Sequence, residues 1–169
     1  MPKKELATLI DQNDNVIGYK DKIDTHLWPT PLHRAISVMI YDGENILLQK
    51  RSTKKPIWPL YWSNAVCANV LKGETYEQCA KRRLWEEMGI KCDLNEALIF
   101  SYKKRYDKKY GEHELDHVFL GEYSGKVTLN PEEAVDYEWL TKRELIEDLK
   151  NNPEKYTPWF KIIVKKLLK

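Results

Sequence analysis

The sequence predicts an α+β fold. Apolar, strand-like runs separated by turn residues fill the first third of the chain. One strongly signalled helix lies near the middle, and two more helical segments close the C-terminal third. Strands and helices mixed in this way argue against the regular alternation of a doubly wound sheet.

Each element has a local cause. Leu6–Ile10 reads as a strand, Asp11–Asn15 as a turn and Val16–Tyr19 as the return strand, an N-terminal strand pair. Residues from Lys22 to His33 are rich in Pro and Thr and predict a loop. Ala35–Tyr41 and Ile46–Gln49 are apolar runs around Asp42-Gly43-Glu44-Asn45, a hairpin signal. Pro56 and Pro59 interrupt the pattern, and Trp62–Cys67 resumes it as one strand. Thr75 to Met88 is the clearest helix. Glu74 and Thr75 supply capping chemistry, Gly89 ends it, and Tyr76, Ala80, Arg83 and Glu87 share one face. Ala97–Tyr102, Leu115–Tyr123 and Val135–Leu140 follow as strands, Thr141–Lys150 as a helix, and Pro158 opens an amphipathic helix through Leu168.

The 169 residues suggest one domain spanning 1–169, large enough to fold without disulfides or a structural metal. A net charge of +2 is too small to make nucleic acid or an anionic membrane the main partner, so any positive site must be local. No secretory signal or membrane span is visible, which makes the cytoplasm the expected compartment. Cys67, Cys79 and Cys92 are an odd, widely spaced set, read as free thiols. Oligomeric state stays open.

The segment Gly73-Glu74 through Arg82-Arg83-Leu84-Trp85-Glu86-Glu87-Met88-Gly89-Ile90 resembles a Nudix box, a helix whose carboxylates hold divalent cations against a diphosphate. Hard carboxylate oxygens suit magnesium, which bridges diphosphate oxygens. Ala68 stands at the motif's first glycine, and Arg83 replaces the glutamate that Nudix hydrolases use for metal binding or water activation. An arginine cannot ligate a metal but can grip phosphate.

With that arginine, the chain resembles the type 1 isopentenyl-diphosphate isomerases from about Leu6 to Trp159. The resemblance implies a Nudix fold: a mixed β-sheet packed between helices, with an extra N-terminal strand pair. It also implies the site. Cys67, in Trp62-Ser63-Asn64-Ala65-Val66-Cys67, matches the family's catalytic acid/base, and Glu114, in Glu112-His113-Glu114-Leu115, its proton donor to the alkene. Tyr102 matches the tyrosine that assists protonation, and Trp159 the indole over the substrate's hydrocarbon, where an aromatic face stabilises a cation. Trp62 is expected near it. Lys22, Arg51, Lys55 and Arg83 fall at the family's phosphate-binding cations. Mg2+ would be held at the diphosphate by Glu87 and the Cys67 carbonyl.

His26, His33, Glu112 and Glu114 match a second divalent site. The family's third histidine is replaced by Asn69, which shares a strand face with Cys67. An amide oxygen is a weaker, harder donor than imidazole, so the expected ion shifts from Zn2+ toward Mg2+ or Mn2+. Asp116 lies on the Glu114 face and could add charge. His113-Glu114-Leu115-Asp116-His117 also spells the zinc-protease signature, but that chemistry needs a helix, and a strand turns both histidines away from Glu112 and Glu114.

The implied activity is isomerisation of a small prenyl diphosphate by proton addition and removal through a tertiary cation. A Nudix hydrolase of nucleoside or prenyl diphosphates and a non-catalytic diphosphate-binding relative are the alternatives.

Overall fold

The computed structural model describes residues 3–168. Nine strands form one mixed sheet, and three helices cover its two faces. The N-terminal pair is β1 (Leu6–Ile10) and β2 (Val16–Asp21), antiparallel around the tight turn at Asp11–Asn15. Asp11 holds that turn by accepting hydrogen bonds from the Asn13 and Asn15 amides. The Pro/Thr-rich connection that follows carries a single 3-10 turn at Asp24–His26.

The central strand is β3 (His33–Asp42). It leads through a tight turn into β4 (Asn45–Arg51). The expected single strand over Trp62–Cys67 is instead two: β5 (Trp62–Asn64) pairs with β4, and β6 (Val66–Asn69) pairs with β3. The chain changes partner at Ala65, a switch that local composition does not encode. β7 (Asn95–Arg105) and β8 (Gly111–Glu122) form a long hairpin, and β8 runs parallel to β3 in the register His33↔Glu114 to Tyr41↔Glu122. β9 (Ala134–Thr141) closes on β4.

Alternation along these strands makes two cores. Ile36, Val38 and Ile40 of β3 and Phe119 of β8 face α1 (Tyr76–Met88), against Cys79, Ala80, Leu84 and Met88. Met39 of β3 and Val118 of β8 face the other way, against Leu145 of α2 (Lys142–Asn151) and Phe160, Ile163 and Val164 of α3 (Pro158–Leu167). α1 begins with a reciprocal Thr75–Gln78 capping box and ends at Gly89, whose φ of 66° favours a residue without a side chain. The α1 axis therefore starts and stops where the sequence punctuates it.

Candidate active site

The cavity opens on the α3 face of the sheet and has a volume of about 140 Å³. β6 and β8 flank β3 on opposite edges, so Cys67 and Glu114 enter it from two sides. Period-two alternation brings Glu112 and Glu114 to this face together, and Cys67 and Asn69 likewise. Tyr102, from the partner strand β7, lies directly opposite Glu114 and donates its hydroxyl to Oε2 at 2.9 Å. Trp159 lines the wall beside Tyr102 and is fixed by its indole N–H on Ser63 Oγ at 3.0 Å and by an edge-on contact with Trp58. Trp62 lies against the core beneath and does not line the cavity.

Electrostatics divide the acids. Burial and the charge of Glu112 push the Glu114 carboxyl well above the usual carboxylate range, which favours its protonated form. Burial acts on Glu112 in the same direction, but His26 and the hydrogen bonds around it outweigh that and hold it low. Burial pushes the Cys67 thiol up to about 12, opposed chiefly by Arg51. Arg51 Nη1 lies 3.7 Å from the sulfur, while its other nitrogens are held by the carbonyls of Trp58 and Ile57. Asp116 sits deeper, accepting from Ser37 Oγ at 2.7 Å, and burial raises it to about 7.

His26, His33 and Glu112 offer ligand atoms that lie within 4.8 Å of one another. His26 Nδ1, His33 Nε2 and Glu112 Oε2 are buried and meet only each other's groups, in loose pairs with His26 Nδ1 3.2 Å from Glu112 Oε1 and His33 Nε2 3.6 Å from Glu112 Oε2, an arrangement a divalent cation would satisfy. His33 Nδ1 lies 2.9 Å from the Pro31 carbonyl, which fixes the tautomer that leaves Nε2 free to ligate. Glu114 Oε1 stands 3.5 Å from the same nitrogen. Asn69 meets His26 Nε2 through its amide at 2.9 Å, so here it steadies the imidazole from behind.

Lys22, Arg51, Lys55 and Arg83 all line the cavity. Lys22 pairs with Glu5 at 2.9 Å and Lys55 with Glu133. Arg83 bonds Glu86, Glu87 and Glu133. Glu87 is buried behind Arg83, which it meets at 2.6 Å, and Gln49 holds its second oxygen at 3.0 Å. Sequence reasoning missed Glu133 and Gln49. Neither belongs to a motif; Gln49 lies on β4 two residues before Arg51, and Glu133 reaches the site from the segment just before β9.

His113 and His117 point to the opposite face of β8. His113 meets the Thr30 carbonyl, and His117 stacks on Tyr76 at 3.4 Å between centroids. The three cysteines are free thiols. No helix among the described residues is long and apolar enough to cross a membrane.

Comparison with known proteins gives a NUDIX domain over residues 31–160. Among curated relatives, isopentenyl-diphosphate Delta-isomerase 2 of Aromatoleum aromaticum is 38% identical over 92% of this chain and 82% of its own. Isopentenyl-diphosphate Delta-isomerase 1 of Photorhabdus laumondii is 40% identical over 93% and 91%. Among solved structures, a Deinococcus radiodurans protein superposes with a TM-score of 0.82 over 98% of this chain and all of that one, at 20% identity. A MutT NUDIX hydrolase from Burkholderia pseudomallei gives 0.60 over 80% and 98%, also at 20%.

Proposed function

We propose a mechanism for a chain that belongs to the NUDIX-domain isopentenyl-diphosphate Delta-isomerases, in which a buried thiol and a buried carboxylic acid move protons on opposite ends of one alkene. The protein interconverts isopentenyl and dimethylallyl diphosphate. One observation carries the mechanism: Cys67 and Glu114 line the same cavity from strands on opposite edges of β3.

In the isopentenyl-to-dimethylallyl direction, Glu114 gives its proton to the terminal alkene carbon, and the branch carbon becomes a tertiary cation. Cys67 takes a proton from the neighbouring methylene, and the double bond reforms one position along; burial disfavours the thiolate that does this, and Arg51 Nη1 at 3.7 Å works against that penalty. Tyr102 holds the Glu114 carboxyl by its 2.9 Å hydrogen bond. The Trp159 ring stands over the hydrocarbon, where its face is worth about 2 kcal/mol or more to a desolvated cation. Arg51, beside the sulfur, stabilises the thiolate. The surrounding aromatic wall excludes water that would trap the cation. A volume of about 140 Å³ suits a five-carbon tail, being close to cavities that admit one benzene ring.

His26, His33, Glu112 and Glu114 would hold a divalent ion, Mg2+, Mn2+ or Zn2+, with the Asn69 amide steadying His26 from behind. Such an ion supplies Lewis acidity beside the Glu114 carboxyl. Lys22, Arg51, Lys55 and Arg83 would receive the diphosphate, and Glu87 and the Cys67 carbonyl would hold its Mg2+. We place this chemistry in the cytoplasm.

Incubation with isopentenyl diphosphate and magnesium, followed by NMR, tests the reading. Dimethylallyl diphosphate is the expected product. Released phosphate would make the protein a hydrolase, and unchanged substrate would make it a binder.

A further inference from the structure

We propose that Ser63 is a positioning residue for the isomerisation: its hydroxyl fixes the Trp159 indole relative to the strand that carries Cys67, and so sets how closely the ring meets the developing cation. The inference rests on the role given to Trp159 above.

Ser63, Asn64 and Thr157 are fully buried polar residues that stand outside the cavity wall. Their hydrogen bonds can run in one direction only. Asn64 Nδ2 donates to the Val38 carbonyl at 3.2 Å and to the Val66 carbonyl at 2.6 Å. Its Oδ1 can only accept, and it takes the Ser63 hydroxyl proton at 2.9 Å. With that proton committed, the 2.9 Å bond between Ser63 and Thr157 must be donated by Thr157. The Trp159 indole N–H donates to the same Ser63 oxygen at 3.0 Å. One proton given and two accepted complete the capacity of a hydroxyl.

Two features point beyond packing. Thr157 occupies the N-cap of α3, where a threonine hydroxyl ordinarily accepts from the first free amides of the helix. It makes no such bond here and turns to Ser63 instead. Val66, moreover, is the residue before Cys67, so Asn64 and Ser63 link the indole to the backbone that presents the thiol. The other neighbours of the Trp159 ring are Trp58, edge-on at 5.6 Å, Tyr102 at 6.4 Å, and the Arg51 guanidinium, 5.1 Å over its face. Such contacts let the ring slide, whereas the N–H bond to Ser63 is directional. A displacement of about 1 Å at a reacting centre can cost on the order of 100-fold in rate.

The test is a double-mutant cycle on kcat for isopentenyl diphosphate with magnesium, followed by NMR. Ser63→Ala should lower kcat about tenfold and leave KM within about threefold, because the cations at the diphosphate end are untouched. In a Trp159→Phe background, which keeps a ring but has no N–H, the same substitution should change kcat less than about twofold. Ser63→Thr keeps the hydroxyl and should hold kcat within about threefold of wild type. If the Ala variant does not fold, Ser63→Cys, close in bulk and a weak hydrogen-bonder, takes its place in the cycle. Equal losses in both backgrounds would assign the hydroxyl to general packing and overturn the proposal, as would a Ser63→Ala protein with wild-type kcat. Trp159→Phe with undiminished kcat removes the indole from the mechanism, and wild type that forms no dimethylallyl diphosphate removes the mechanism itself; the role of Ser63 falls with either.

Discussion

At Cys67 a single atom separates binding from turnover. Cys67→Ala removes the proposed base but leaves Lys55, Arg83 and the aromatic wall in place. Substrate should still bind, and kcat should fall by roughly 10²–10⁴-fold, the usual span of a positioned acid or base. A kcat within a few-fold of wild type would exclude the thiol from the chemistry. Asn69 offers a second test. Its amide holds His26 Nε2 at 2.9 Å, on the side of the ring away from the metal set. Asn69→Ala should lower divalent-metal affinity by about 10–100-fold, read by competition with a chromogenic chelator; unchanged affinity would mean that the amide does not orient the ring. Cys67, Glu112 and Glu114 were singled out in the sequence by resemblance to the isomerase family, and strand alternation adds only that Glu112 and Glu114 share a face. Glu133, Gln49 and Ser37 were not, since each acquires its role only when another element folds against it.

Among elements, α1 was the most legible, because caps and a 3.6-residue period are local signals. Its terminus is correspondingly sensitive. A Cβ on Gly89 would stand 3.0 Å from Thr128 Cβ on a backbone of φ +66°, so Gly89→Ala should cost about 1–2 kcal/mol in urea melts. No loss would mean that the turn relaxes freely. The Ala65 switch between β5 and β6 was illegible for the opposite reason: pairing partners are chosen over long range. The C-terminal elements carry a pH signature. Asp148 of α2 accepts from Lys155 at 2.6 Å, Asn152 at 2.8 Å and Tyr156, and these partners, Lys155 first, lower its carboxyl to about 2. The unfolded carboxyl titrates near 3.8. The native state therefore gains stability from this group above that pH and loses it as pH falls through about 2. Discounted for its partial exposure, the gain is roughly 0.5–1 kcal/mol. Asp148→Asn should be less stable than wild type by that amount at pH 6 and indistinguishable near pH 2. A gap that persists at pH 2 would assign the effect to geometry rather than charge.

Across the whole molecule, the histidine–glutamate set joins parts that the backbone connects only loosely. His26 comes from the turn after β2, His33 from the start of β3 and Glu112 from β8. Three of the buried polar atoms that face one another there make only long contacts with each other's groups, 3.2 Å and 3.6 Å for the two His–Glu112 pairs. Without a cation, this arrangement is a standing cost to the fold. A cation that binds only the native state relieves that cost and ties the connection between β2 and β3 to β8. At a free concentration of about 100 times its Kd, binding contributes about 2.7 kcal/mol. For a chain of this length each kcal/mol moves Tm by about 2–4 °C, so metal-loaded protein should melt about 5–10 °C above EDTA-treated protein. The same shift should vanish in His26→Ala, and hydrogen exchange over residues 22–33 should quicken on chelation more than in α1. Coincident melts of loaded and chelated protein would mean that the converging imidazoles and carboxylate do not form a metal site.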